Sequence, residues 1–124
     1  MRILHYCLLF LLAAEPAIAA HKHLEKEYQK EWCDDHFYKM EYPLEDGSHI
    51  DCLTETHAVE VEFAPKWAES VGQSLYYALK TGKQPGVVLI LESSKDRKFL
   101  ERLQAVADGY GIAVWTMRPG DLKR

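Results

Sequence analysis

Five consecutive apolar residues in the second half of the chain constrain the fold most strongly. The run 87–91 offers apolar side chains to both faces of a strand, which is typical of a parallel strand buried between two layers. Helical patterns flank this run, from Pro65 to about Lys80 and from Ser93 or Ser94 to about Ala107. A buried strand with a helix before and after it predicts an α/β domain built around a central sheet.

The remaining periodic segments complete a predicted order of α-β-β-β-α-β-α-β. Helical spacing indicates a first helix, alternating side chains indicate three strands after it, and Asp46-Gly47 marks the turn between the first two strands. The predicted elements are helices over 23–36, 65–80 and 93–107 and strands over 37–42, 49–53, 57–63, 87–91 and 112–115.

Three carboxylates lie on the second and third predicted strands. Asp51 alternates with Ile50 and Cys52, and Glu60 and Glu62 are two residues apart, so both glutamates point to one face of their strand. If the strands are neighbours, the three carboxylates converge, and a hard divalent cation binds such oxygen ligands. The alternative is that the glutamates form the solvent face of an amphipathic strand.

The helix that follows the third strand carries a polar stripe. Lys66 lies seven residues before Gln73 and eleven before Tyr77, so all three share one helix face. An ordinary solvated stripe is the alternative. The core face of the same helix is predicted to consist of Trp67, Val71, Leu75 and Leu79.

The N-terminal segment and the cysteines indicate export. Residues 1–20 combine a basic start, a short apolar run and small residues at the end, as a secretory signal peptide does. The rest, 21–124, is one domain with no second apolar stretch that could enter a membrane, so the mature protein is expected to be secreted or periplasmic. It retains Cys33 and Cys52, an even pair that predicts a disulfide in an oxidising compartment. Two free buried thiols are the alternative.

The charge of the mature chain is divided unevenly. Residues 21–62 carry four basic and twelve acidic residues, a net of −8, and residues 63–124 carry ten basic and six acidic, a net of +4. The overall excess of acid argues against tight non-specific binding of nucleic acid. The division suits an acidic metal pocket beside a basic surface, and two ordinary solvated faces explain it equally well.

The predicted order and these residues resemble the PD-(D/E)XK nuclease superfamily, whose restriction-endonuclease-like core is αβββαβ. The resemblance spans about residues 23–115, with an additional helix and C-terminal strand and a mixed central sheet. Asp51 corresponds to the Asp of the second strand and Glu60 to the (D/E) of the (D/E)-x-K motif. Gln73 and Tyr77 are similar to the Gln-x3-Tyr motif of one branch.

One position departs from the superfamily pattern, because Glu62 stands where the motif has lysine. That lysine helps to activate water and to stabilise negative charge, which a carboxylate cannot do. Lys66 is a substitute, since the lysine has moved to this helix in other members of the superfamily. A glutamate on the first helix often assists as well, and Glu27 and Glu31 are both candidates for that role.

The resemblance implies metal-dependent hydrolysis of DNA phosphodiester bonds. Mg²⁺ or Mn²⁺ would be bound by Asp51, Glu60 and Glu62, with Lys66 and Gln73 as further catalytic residues and Lys66, Gln73 and Tyr77 in contact with DNA. The alternative is a catalytically inactive nuclease-fold module that binds DNA or a protein partner. Homodimers are common in the superfamily, although no residue here indicates one. The sequence contains no nucleophile elbow, phosphate-binding glycine loop, zinc-protease helix or Cys-x-x-Cys pair.

Overall fold

The structure is a computed structural model that describes residues 20–36 and 38–123. Apart from Ala20, the predicted signal peptide lies outside the described residues, so its cleavage stays a prediction. Within the described part, no helix combines the length and the apolar character that a membrane crossing requires.

One five-stranded mixed sheet organises the chain, which confirms the predicted α/β class. The strands stand in sequence order, β1-β2-β3-β4-β5; β1, β2 and β3 run antiparallel, and β3, β4 and β5 run parallel. The observed order of elements also follows the predicted one. The elements are α1 (Glu25–Asp35), β1 (Lys39–Pro43), β2 (His49–Leu53), β3 (His57–Phe63), α2 (Trp67–Thr81), β4 (Gln84–Ile90), α3 (Arg97–Tyr110) and β5 (Ala113–Met117).

Helices cover both faces of the sheet, because β4 is apolar on both sides. Val88 and Ile90 pack with the α1 side chains Tyr28 and Trp32, whereas the alternate residues of β4 pack with the buried positions of α3. All side chains from Val87 to Ile90 are fully buried. The central strand predicted from the sequence is therefore confirmed.

The disulfide between Cys33 and Cys52 is present and joins α1 to β2. Both cysteines are fully buried and belong to the cluster on the α1 side of the sheet. Their Cα atoms are 5.8 Å apart, across a sequence separation of 19 residues. The bridge fixes α1 against the strand that carries Asp51.

The prediction that Leu79 belongs to the core of α2 is wrong, since its side chain is 80% exposed. The fully buried positions of this helix are Ser70 and Ser74, with Tyr77 next to them at 7% exposure. Leu79 lies twelve residues after Trp67, which rotates it by about 120° around the helix axis. That rotation carries Leu79 beyond the contact with the sheet.

Candidate functional site

Strands β2 and β3 part at Asp51. Between the described residues of the two strands, the ladder joins Cys52 to Val59 and Leu53 to Ala58. Beyond it, the amide of Val61 donates to the side chain of Asp51, with 2.8 Å from N to Oδ2. A carboxylate therefore takes a donor that a regular ladder would give to a backbone carbonyl.

The parting of the strands also breaks the simple alternation predicted for β2. Ile50 packs with Leu53 and Tyr77 on one side of the sheet, whereas Cys52 packs on the other side. On the neighbouring strand, Glu41 has a left-handed backbone conformation with φ of 54°. Left-handed conformations are uncommon outside glycine and mark a local distortion of the strand.

Gln29 of α1 forms hydrogen bonds with the distorted part of β1 and β2, at Glu41 and Asp51. Its side chain is 2% exposed, and Nε2 donates to Glu41 Oε1 at 2.8 Å and to the Asp51 carbonyl at 2.9 Å. A buried amide with these partners holds the backbone of Asp51 in place. Sequence analysis missed Gln29, because helical spacing alone does not separate it from the exposed polar residues of α1.

Asp51 and Glu60 occupy the gap between the parted strands. Their carboxyl groups lie close enough to shift each other's pKa, and the Asp51 amide donates to Glu60 Oε1 at 3.4 Å. Burial, followed by the charge of Asp51, raises the pKa of Glu60 to about 9. Burial likewise raises the pKa of Asp51 to about 6, although the hydrogen bond from the Val61 amide opposes this shift. At neutral pH the pair therefore retains one proton.

Glu62 forms a second carboxyl pair with Glu25, the first residue of α1. Burial raises the pKa of Glu62, whose Oε1 accepts a hydrogen bond from the Phe63 amide at 3.0 Å. Burial and then the charge of Glu62 raise the pKa of Glu25 to about 8. Together with Asp51 and Glu60, these residues form the carboxylate cluster: Glu25, Asp51, Glu60 and Glu62.

The glutamate that α1 contributes is Glu25, not Glu27 or Glu31. The Glu27 side chain accepts the amide of Leu24 at 2.6 Å and so caps the helix. Glu31 lies 3.2 Å from the ammonium group of Lys123. Because the three glutamates share one helix within two turns, only the rotation of α1 on the sheet distinguishes them.

Lys66 lies beside the carboxylate cluster. The sequence predicted a helix from Pro65 that includes Lys66, but in the structure Lys66 ends the short 3-10 turn Ala64–Lys66, directly before α2 begins at Trp67. Its side chain is exposed to solvent. Burial has the largest effect on the pKa values of Glu25 and Glu62 and raises both. The positive charge of Lys66 opposes this effect and lowers both pKa values. The cation is therefore within electrostatic reach of one carboxyl pair.

Tyr77 reaches the other pair from α2. Burial raises its pKa, the charge of Glu60 raises it further, and a hydrogen bond with Ser48 lowers it. Gln73 lies one helical turn earlier and is half-buried. The stripe predicted from the sequence thus spans three environments, from exposed Lys66 through Gln73 to buried Tyr77.

The donor atoms of the cluster suit a hard divalent cation, because all of them are carboxylate oxygens. Among residues 20–36 and 38–123, no three His, Cys, Asp or Glu side chains are grouped so as to hold one metal ion. The four carboxyl groups lie instead as two interacting pairs, Asp51 with Glu60 and Glu25 with Glu62. Binding of a cation would require these pairs to release protons and separate.

Comparison with known proteins gave no match: no protein-family model, no curated protein and no solved structure is significantly similar to this chain.

Proposed function

We propose that this chain is an exported, metal-dependent nuclease of the PD-(D/E)XK type that hydrolyses DNA phosphodiester bonds. The observation that carries the proposal is that two buried carboxyl pairs, Asp51 with Glu60 and Glu62 with Glu25, lie close enough for their charges to raise one another's pKa values, beside Lys66. Burying several carboxyl groups together is costly. Strongly raised pKa values in such a cluster are typical of functional sites.

The proposed roles follow from the positions of the side chains. Asp51, Glu60 and Glu62 would hold Mg²⁺ or Mn²⁺, which supplies a bound water of lowered pKa and polarises the phosphate. Lys66 supplies the positive charge that Glu62 cannot supply and stabilises the developing negative charge of the phosphate. Gln73 orients the DNA backbone or the attacking water, and Tyr77 packs beside the site against Ile50 and Ala58.

The disulfide supports a location outside the cytoplasm. A bridge between fully buried cysteines forms and persists in oxidising compartments. Together with the predicted signal peptide, it favours a secreted or periplasmic protein.

Cleavage of plasmid and single-stranded DNA by the oxidised protein, with Mg²⁺ or Mn²⁺, tests the proposal. We expect Asp51→Asn, Glu60→Gln and Lys66→Ala each to lower the rate by at least about 100-fold, and EDTA to abolish it. The matched controls are Asp108→Asn and Lys39→Ala, which alter exposed residues away from the cluster and should cleave at the wild-type rate.

Proton release provides a second readout that does not require turnover. Because the cluster holds protons at neutral pH, binding of Mn²⁺ should displace them. Titration calorimetry in buffers of different ionisation enthalpy should report this release for the wild type and a smaller release for Glu60→Gln. An unchanged metal affinity in Asp51→Asn and Glu60→Gln would remove the metal site from the proposal.

The second candidate is a catalytically inactive nuclease-fold module that binds DNA or a protein partner. The substitution of Glu62 for the motif lysine favours it. Folded wild-type protein that leaves both DNA substrates intact with either metal would establish this candidate over the nuclease.

A further inference from the structure

Two cavities meet along the ends of β3 and β4 and form one groove. The first, of about 510 Å³, begins beside Lys66, and the second, of about 650 Å³, extends to Arg97 and Arg118. They share Lys22, Glu92 and Ser93 as lining residues. The groove therefore starts next to the carboxylate cluster and runs past the end of the parallel half of the sheet.

Positive charge predominates along this groove. Its lining cations are Lys22, Lys66, Lys95, Arg97 and Arg118. Within the described residues only Arg97 among them forms a salt bridge, with Glu101 at 3.2 Å. The cations are therefore available to a bound anion.

The two acidic residues that line the groove are engaged by the protein itself. Glu92 accepts hydrogen bonds from the His21 ring and, at 2.8 Å, from the Lys22 amide. Asp96 accepts the amides of Glu92 and Ser93 at 2.8 and 3.4 Å. Their oxygens are therefore hydrogen-bonded within the protein, and the five cations outnumber these two acidic residues along the groove.

The segment before α1 forms one wall of the groove. The His21 ring stacks on Phe63 with 3.5 Å between the ring centroids, and the Lys22 amide is fixed by Glu92. Lys22 is thereby held where the two cavities join. Because its backbone makes this contact, replacing the Lys22 side chain removes a cation without removing the hydrogen bond.

We propose that the groove binds a single strand of nucleic acid that continues from the cleavage site. This inference rests on the proposed function, because the groove is assigned by its continuity with Lys66 and the carboxylate cluster. Spaced cations suit successive backbone phosphates, and the apolar lining residues Phe63, Pro65, Ile90, Leu91 and Leu100 offer surface to unpaired bases. These apolar side chains favour a single strand over a duplex, because the bases of a duplex are already paired and stacked inside the double helix.

The inference is tested with a fluorescein-labelled single strand of DNA, 12 nucleotides long. Its binding is measured by fluorescence anisotropy in the presence of EDTA, so that cleavage does not interfere. The wild-type protein is produced from the full chain by export, purified in its oxidised form, and compared with the double variant Lys22→Ala/Arg118→Ala. We expect the double variant to bind at least about 10-fold more weakly. The slope of the logarithm of its association constant against the logarithm of the salt concentration should be smaller in magnitude by about 1.4, which is about 0.7 for each of the two lost phosphate contacts. The control Lys39→Ala alters a cation on β1, the opposite edge of the sheet, and should bind as the wild type does.

The outcomes separate this inference from the proposed function. Wild-type cleavage of DNA with unchanged affinity and salt slope in the double variant would overturn the groove and leave the nuclease standing. Loss of binding in the double variant, in a protein that cleaves no DNA, would support the groove and overturn the nuclease. Equal affinity for a 12-base-pair duplex and for the single strand would overturn the assignment to single strands.

Discussion

The two halves of the sheet differ in how completely their strands are joined. In the parallel half, β3 is paired with β4 along its whole length from His57 to Phe63, and β4 is paired with β5 from Gly86 to Ile90. In the antiparallel half, the ladder between β2 and β3 stops before Asp51. A side chain replaces the missing backbone acceptor there.

The side chains of the two halves differ in the same sense. β4 fills both faces with aliphatic groups that are fully buried, whereas the gap beside β3 holds carboxyl groups whose pKa values burial has raised. Strand β3 belongs to both halves, with Val59 and Val61 in the core and Glu60 and Glu62 at the gap. A complete ladder on one side of β3 allows the other side to part and hold a polar site.

The strongest test of this contrast is a core truncation in the parallel half. Leu89→Ala should lower the free energy of unfolding by about 2–5 kcal/mol, because Leu89 is fully buried and its loss leaves a cavity. Urea denaturation measures the change. Leu79→Ala, the same truncation at an 80% exposed position, should cost less than about 0.5 kcal/mol. Equal losses in the two variants would contradict the assignment of the core.

The antiparallel half depends on its covalent link to α1. Replacing both cysteines in Cys33→Ser/Cys52→Ser should lower the free energy of unfolding by about 3 kcal/mol, the chain-entropy value for a loop of this length. Urea denaturation of the oxidised wild type and the variant measures the loss. If dithiothreitol destabilises the wild type while leaving the variant unchanged, the effect belongs to the bridge.

The carboxylate cluster should make stability decrease as pH rises. The pKa values of Glu25, Asp51 and Glu60 are raised to about 8, 6 and 9, so between about pH 5 and 9 the folded state binds more protons than the unfolded state. Linkage then lowers the free energy of unfolding along that interval, by on the order of 2 kcal/mol or more. Urea midpoints measured without divalent cations at pH 5 and pH 8.5 test this.

Glu60→Gln sharpens that pH test, since an amide resembles the protonated acid. The variant should show a flatter pH dependence and exceed the wild type in stability at pH 8.5. Glu101→Gln, an exposed position on α3, should keep the wild-type slope. A wild-type slope in Glu60→Gln would show that the pH dependence arises elsewhere.

The smallest expected effect concerns the support that α1 gives to the distorted strands. Gln29→Ala removes the two hydrogen bonds to Glu41 and to the Asp51 carbonyl and should cost about 1 kcal/mol. Gln104→Ala removes an exposed bond to Asp108 and should change stability by less than about 0.5 kcal/mol. Identical urea midpoints for the two variants would mean that Gln29 does not hold the segment.

Much of the fold was predictable from local pattern. The apolar run of β4, the alternating strands and the helical spacing each depend on neighbouring residues, so they predicted the order of elements, while the mixed sheet was what the superfamily resemblance implied. The disulfide was predictable because Cys33 and Cys52 were the pair left after the signal peptide. The side of β2 on which Ile50 packs was not predictable, since it depends on where the ladder to β3 ends.

The residues of the candidate site also fall into two groups, those predicted from local sequence pattern and those identified only in the tertiary structure. The sequence predicted Asp51 on the second strand, Glu60 and Glu62 on one face of the third, and Lys66 near the start of the next helix, because spacing along a strand or helix fixes the direction of a side chain. That β2 and β3 are neighbours was a condition of the predicted site, and the structure supplied it. Only the tertiary structure decided that Glu25 joins them, that Leu79 stays exposed, and that Lys22 lines the groove. Those outcomes depend on how a helix is rotated on the sheet and on contacts such as His21 with Glu92, 71 residues apart, which no local pattern encodes.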